Sequence, residues 1–209
     1  MLFVDRKDAG VRLAKMLEPY KGENVVVFAL PRGGVVLGVE IAESLNAPLD
    51  IVIAKKIGHP SNSEYAIGAV VEDGEPICNQ AQIQQIDAAW LKKESEKIKD
   101  EIKRRRKQYL GTSEQRNIEG KTVLVVDDGI ATGFTMIAAV QELRKRNPGK
   151  IVVATPVTPY DTAQVIKRLA DELISPNIDK NFLGAVGAYY RDFTQVEDDE
   201  VIDMLERFR

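Results

Sequence analysis

Four consecutive aliphatic residues, Val123, Leu124, Val125 and Val126, run into two acids, Asp127 and Asp128, and then into a small polar turn, Gly129-Ile130-Ala131-Thr132-Gly133-Phe134-Thr135. A short apolar run that stops abruptly at charge is the pattern of a buried parallel strand ending at its carboxyl edge. Ligands bind at that edge in open α/β sheets. Met136, Val140 and Leu143 then recur at helical spacing as far as Asn147-Pro148-Gly149. A helix should therefore begin near Phe134, with first-turn amides that have no partner inside it.

Each half of this segment has its own chemistry. Thr132, Gly133 and Thr135 offer small hydroxyls and bare amides where the helix dipole is positive, which suits a phosphate dianion. Asp127 and Asp128 only accept hydrogen bonds when ionised, so they suit vicinal hydroxyls or a cation bound to the same sugar. Phosphate at one end and diol at the other describes a ribose 5-phosphate. An Asp N-cap and a Thr-rich turn serving structure alone is the competing account. Against it stands the cost of desolvating two successive acids without a ligand or cation.

Residues 123–135 resemble the ribose-phosphate motif of the type I phosphoribosyltransferases: a hydrophobic strand, two acids, two variable residues and a small-Thr-Gly-x-Thr/Ser turn. The resemblance implies a magnesium-dependent enzyme that transfers ribose 5-phosphate from phosphoribosyl pyrophosphate to a nitrogenous base and releases pyrophosphate. Asp127 and Asp128 would hold the ribose hydroxyls, while Ala131, Thr132, Gly133, Phe134 and Thr135 would surround the 5-phosphate. Mg2+ would be bound mainly through the substrate, with Asp127 the one side chain considered as a direct ligand. The implied fold is α/β, a mostly parallel central sheet flanked by helices, in one domain over 1–209. A small hood would come from the N-terminal segment and 176–209, and a long polar helix would be inserted at 80–110.

Two further segments follow in the order this family requires. Leu30-Pro31-Arg32-Gly33-Gly34 closes a predicted strand with glycines that admit an anion and a forked cation, Arg32. By resemblance it is a pyrophosphate loop, with a cis peptide between Pro31 and Arg32. After the next strand, residues 55–65 look like a mobile catalytic lid rich in Gly, Pro, Ser and Asn. Lys55 or Lys56 would neutralise charge on the departing pyrophosphate, and paired lysines at a solvated strand end are the plain alternative.

The clues to the base disagree. Ala131 stands where enzymes acting on 6-oxopurines usually carry an acid, and Glu64-Tyr65 matches a pair found in adenine-specific members, which makes Glu64 a candidate for proton transfer. Residues 182–193, however, look loosely like the base-stacking segment of the 6-oxopurine enzymes. Phe182 and Tyr190 are the candidate base-binding residues, and burial in the hood is the rival explanation for the tyrosine.

Apolar periodicity supplies the remaining elements: helices over 9–17, 35–45 and 161–170, and strands over 25–30, 51–54, 66–71 and 151–157, with a short strand near Leu173. Alternation of this kind predicts a parallel sheet. Leu91, Ile98, Ile102 and Tyr109 mark one long helix with a narrow apolar seam, packed on its own domain or on a second copy in a homo-oligomer. Its run Lys103-Arg104-Arg105-Arg106-Lys107 is interleaved with acids and is expected to be a solvated face rather than a nucleic-acid surface.

The formal charge of −3 provides no overall basic field for nucleic acid. A single cysteine, Cys78, excludes an intrachain disulfide framework, and a single histidine, His59, excludes a His-based metal cluster or a Ser-His-Asp triad. No apolar run is long enough for a signal peptide or a membrane span, so the cytoplasm is the expected compartment. A strand ending in paired acids could also belong to an ATPase, but there is no GxxxxGK[ST] loop. The rival from another class is a non-catalytic regulator that senses phosphoribosyl pyrophosphate or a nucleotide through the same pocket.

Overall fold

A computed structural model describes residues 2–112 and 114–208, with only the backbone of Glu64. The chain opens with helix α1 (Arg6–Met16), capped by the Asp5 carboxylate on the Asp8 amide, and passes through a 3-10 turn into strand β1 (Val25–Ala29). Helix α2 (Gly33–Leu45) leads to β2 (Leu49–Ile51). An antiparallel unit follows, made of β3 (Ala54–His59), β4 (Asn62–Val71) and β5 (Ile77–Cys78). Helices α3 (Gln80–Ile83) and α4 (Ala88–Leu110) precede β6 (Thr122–Val126) and α5 (Phe134–Arg144). The chain continues through β7 (Lys150–Ala154), β8 (Val157–Pro159), α6 (Tyr160–Leu169), β9 (Glu172–Ile174) and β10 (Asn177–Asp179), and α7 (Asp198–Glu206) comes last.

The central sheet has five strands in the order β2-β1-β6-β7-β9, and every pairing is parallel. Val123, Leu124, Val125 and Val126 are wholly buried between the two helical layers. Burying each such aliphatic side chain contributes about 1.5–3 kcal/mol. Leu124 and Val126 join the core shared with α1 and α2, while Val123 and Val125 join the one shared with α5 and α6, as strand alternation requires. From β1 the chain moves outward to β2, and from β6 it moves the other way to β7 and β9. The strand order thus reverses between β1 and β6, the switch point where a crevice opens at the carboxyl ends.

The expected fold class holds, and three strands differ from expectation. The apolar run 51–54 is divided: Ile51 ends the edge strand β2, whereas Ala54 begins β3 and pairs antiparallel with Val71. The strand expected at 66–71 therefore belongs to a separate sheet, not to the parallel one. The proposed lid 55–65 is a hairpin, with pairing carried from Ala54↔Val71 out to His59↔Asn62 and an irregularity at Gly58. Likewise 151–157 breaks at Thr155-Pro156, where proline has no amide for a ladder, and Val157 starts a short strand paired with β10.

The basic run on α4 is not uniformly solvated. Lys103, Arg104 and Lys107 are exposed, but Arg106 is buried against Asp50 of β2, and Arg105 contacts Glu101 and Tyr109. Near the other end of the chain, Phe3 forms an isolated bridge with Tyr190, so the N-terminal segment lies beside residues 189–192. Among the described residues no helix is long and apolar enough to cross a membrane.

Candidate functional site

Registration brings two distant turns together. Ala29 is paired with Val126, and the Leu30 amide still donates to the Val126 carbonyl at 2.9 Å, so residues 30–34 and 127–135 leave the sheet side by side. Close approach depends on missing side chains. A Cβ on Gly34 would lie 2.8 Å from the Val126 carbonyl oxygen, and one on Gly33 would lie 1.9 Å from Oδ2 of Asp128. The Pro31–Arg32 peptide is cis.

Asp127 and Asp128 stand at the centre of this edge, both half-buried. Oδ1 of Asp127 accepts the Asp128 amide at 2.8 Å. Oδ2 of Asp128 accepts Nε of Arg6 at 2.7 Å, and the Asp128 carbonyl accepts the Tyr190 hydroxyl at 2.6 Å. Burial pushes the Asp127 carboxyl well above the usual range, and the neighbouring Asp128 charge adds to the effect. Asp128 is also raised by burial, against the opposing pull of Arg6. The pair thus carries an unfavourable excess of negative charge that a cation or hydroxyl donors would relieve.

The phosphate turn is open to solvent at Ala131 and Thr132, while Thr135 is half-buried. Gly133 caps α5 with φ 83°, a backbone conformation that favours glycine, and no side chain caps the helix. The amides of Phe134, Thr135 and Met136 therefore point from the helix start without intrahelical partners. Across the turn, the Thr162 hydroxyl donates to the Ala131 carbonyl at 3.2 Å.

Arg32 lies at the start of α2, where Glu197 and Asp198 hold its guanidinium at 3.2 and 3.8 Å. Asp198 also accepts the hydroxyl of Tyr109, whose pKa is pushed up to about 12 by burial and then by that carboxylate. The two lysines of the hairpin face opposite ways. Lys55 pairs with Glu101 of α4 at 2.6 Å. Lys56 is exposed and opposes Ala69, which packs with Ala138 and Phe134 of α5, so Lys56 is on the face of the hairpin that lies along the phosphate-turn helix. The side chain of Glu64 lies outside the described residues.

Phe182 is half-buried and stacks on Tyr189, ring centroids 5.6 Å apart. Tyr190 is placed differently from a stacking platform: its ring is buried between Phe3 and Phe193, and it presents its hydroxyl to the acid pair. Burial, followed by the Asp128 charge, raises the pKa of that hydroxyl and keeps it a donor. Arg6, Glu197 and Asp198 are the site neighbours that sequence reasoning missed. Their partners, Asp128 for Arg6 and Arg32 for the two acids, lie more than a hundred residues away, and nothing in the local sequence marks them.

Among the described residues there is no group of three or more His, Cys, Asp or Glu side chains that could hold a metal ion. Cavities of about 440 and 490 Å³ lie away from this edge, one beside Leu49 and Phe208 and the other beside Cys78 and Leu91. The acids, the phosphate turn and the Arg32 turn lie together instead at the carboxyl edge of the central sheet.

Residues 7–191 match the family model described as the phosphoribosyl transferase domain. Relatives from two Mycobacterium tuberculosis strains, provisionally named phosphoribosyl transferases, are 40% identical over 208 residues, covering 99% of this chain and 47% of theirs. The chain thus spans about half the length of these curated relatives. The crystal structure of TT1426 from Thermus thermophilus is 38% identical, with a TM-score of 0.83, covering 100% of this chain and 99% of that one. The structure of AQ2163 from Aquifex aeolicus, 13% identical with a TM-score of 0.51, covers 83% of this chain and 74% of its own and shares the fold alone.

Proposed function

Because the chain belongs to the phosphoribosyl transferase domain family, we propose that it transfers ribose 5-phosphate from phosphoribosyl pyrophosphate to a nitrogenous base, releasing pyrophosphate. The observation that carries this proposal is the adjacency of the half-buried acid pair to an uncapped helix start, at the point where the order of the parallel strands reverses. Asp127 and Asp128 accept the ribose hydroxyls. The amides at 134–136 with Thr132 and Thr135 take the 5-phosphate. Arg32, released from Glu197, meets the pyrophosphate, and Lys56 approaches from the hairpin.

The donor set fits Mg2+ carried by the substrate: of two adjacent carboxylates only one is matched by Arg6, so the residual negative charge would favour a cation, and Asp127 is the side chain that would help to hold it. When bound, the ion withdraws charge from the leaving pyrophosphate. As the anomeric bond opens, positive charge grows on the sugar ring, and the acids beneath it favour that state. Phe182 is assigned to the base side.

The test is pyrophosphate release from phosphoribosyl pyrophosphate and Mg2+ with a panel of purine, pyrimidine and pyridine bases. At least one base should support turnover, and Asp128→Asn should lower kcat by about 10²-fold or more. Binding of phosphoribosyl pyrophosphate without pyrophosphate release across the whole panel would refute catalysis and leave a sensor using the same pocket.

A further inference from the structure

We propose that Arg6 is a positioning residue of the sugar subsite, aligning Asp128 so that the site selects a ribose over a 2-deoxyribose 5-phosphate. This rests on the function proposed above and assigns one of its specificities to a residue outside the matched motif. Arg6 is held from several sides. Nε donates to Asp128 at 2.7 Å, one terminal nitrogen donates to the Thr194 carbonyl at 2.6 Å, and the guanidinium carbon lies 3.8 Å from the centre of the Phe193 ring. The Arg6 and Asp128 side chains are only 12% and 16% exposed. An incidental surface ion pair lacks such enclosure, and its two long side chains would have to be ordered for little gain.

The glycine at 33 supplies an independent observation. Its missing Cβ would stand 1.9 Å from Oδ2 of Asp128 and 2.7 Å from Nε of Arg6, so the Arg32 turn leaves room for this particular contact. Three segments distant in sequence are shaped around one bond. With Oδ2 taken by Arg6 and the main chain fixed by Tyr190, the other oxygen of Asp128 becomes an oriented acceptor beside Asp127. An acceptor held in this way discriminates strongly against a ligand that lacks the matching hydroxyl, because it is then left desolvated and unpaired. A carboxylate free to turn would find another partner and discriminate less.

The experiment measures by calorimetry the affinities of ribose 5-phosphate and 2-deoxyribose 5-phosphate for the full chain and its variants. Both ligands use the same phosphate, so their ratio isolates the diol. The unmodified protein should favour the ribose by about tenfold or more, and Arg6→Gln should bring the ratio within about twofold of one. Arg6→Lys retains charge but cannot bridge Asp128 and Thr194 while stacking on Phe193, so it should behave like Arg6→Gln. Gly33→Ala displaces the carboxylate with both partners still present, and it should lose selectivity even where an Arg6 variant fails to fold. A wild-type ratio in Arg6→Gln, or full selectivity in Arg6→Lys, overturns the positioning role while the proposed function stands. Equal binding of both sugars by the unmodified protein overturns it too. If neither sugar phosphate binds, the selectivity is absent and the positioning role fails, while the proposed function is judged separately by pyrophosphate release.

Discussion

Arg106 offers a direct test of how α4 is attached. Its side chain and that of Asp50 are 5% and 6% exposed, and its terminal nitrogens donate to Asp50 at 3.1 Å, to the Ile51 carbonyl at 2.8 Å and to the Glu114 carbonyl at 3.1 Å. Replacing Arg106 with Leu keeps apolar volume but leaves the Asp50 carboxylate buried without its cation, a loss of about 3–5 kcal/mol. At about 2–4 °C per kcal/mol for a chain of this size, the melting temperature should fall by about 6–20 °C. Adding Asp50→Leu removes the stranded charge and should recover at least half of the loss, the two bare carbonyls accounting for the remainder. The exposed neighbours Lys103→Ala and Arg104→Ala should stay within about 0.5 kcal/mol of the unmodified protein. Urea unfolding monitored by circular dichroism measures the free energies, and thermal melts measure the temperature shift. If Arg106→Leu lies within about 1 kcal/mol of the unmodified protein, the buried pair does not fasten α4 to the sheet edge.

Three more outcomes follow from the site. Asp127 binds a proton more tightly in the folded chain than in the unfolded one, because burial and Asp128 raise its pKa. Its contribution to stability is therefore greatest below the unfolded-state pKa, near 3.9, and is lost as pH rises through the folded-state value. Asp127→Asn should consequently gain about 0.5–2 kcal/mol at pH 7 and less at pH 4 while losing turnover; thermal melts across that range would contradict this if the gain were independent of pH. Lys56→Ala should lower kcat by about tenfold or more at unchanged melting temperature, whereas Lys55→Ala should alter only its exposed contact with Glu101, by at most about 1 kcal/mol; equal kinetic losses would contradict the assignment of hairpin faces. Glu197→Gln should tighten inorganic pyrophosphate binding by about 1.4–5-fold by freeing Arg32, and calorimetry showing weaker binding would place the guanidinium elsewhere.

How much was legible beforehand depended on how local the cause was. The β6 strand, its acids and the start of α5 follow from an apolar run, two charges and a helical period within residues 122–143, and each could be read before any contact was known. The hairpin could not be recognised in this way. Residues 51–54 are as apolar as a central strand, and nothing in them records that Ile51 pairs with β1 while Ala54 turns to β4. Arg106 had the same difficulty in another form. Within Lys103-Arg104-Arg105-Arg106-Lys107 the helical period puts Arg106 on the same face as Ile102 and Tyr109, but its burial requires Asp50, a residue 56 positions away. Arg6 is one charge among Asp5-Arg6-Lys7-Asp8, and its partner Asp128 is defined by tertiary folding alone.

The crevice shares one electrostatic design across these missed residues. Arg6 balances Asp128, and Glu197 with Asp198 balances Arg32, so each of these charged groups expected to touch the substrate already has a counter-ion from outside the central sheet. The two arrangements differ in how easily they are exchanged. Glu197 is 61% exposed and makes a solvated contact that an incoming pyrophosphate can replace at small cost. The Arg6–Asp128 pair is enclosed, stacked on Phe193 and shaped into Gly33, so breaking it would strand a charge in a poorly hydrated place. On the proposed function, a ligand entering this edge would therefore displace Glu197 from Arg32 and leave Arg6 in place: the first contact would act as an exchangeable placeholder for phosphate, and the second would remain part of the surface that meets the sugar.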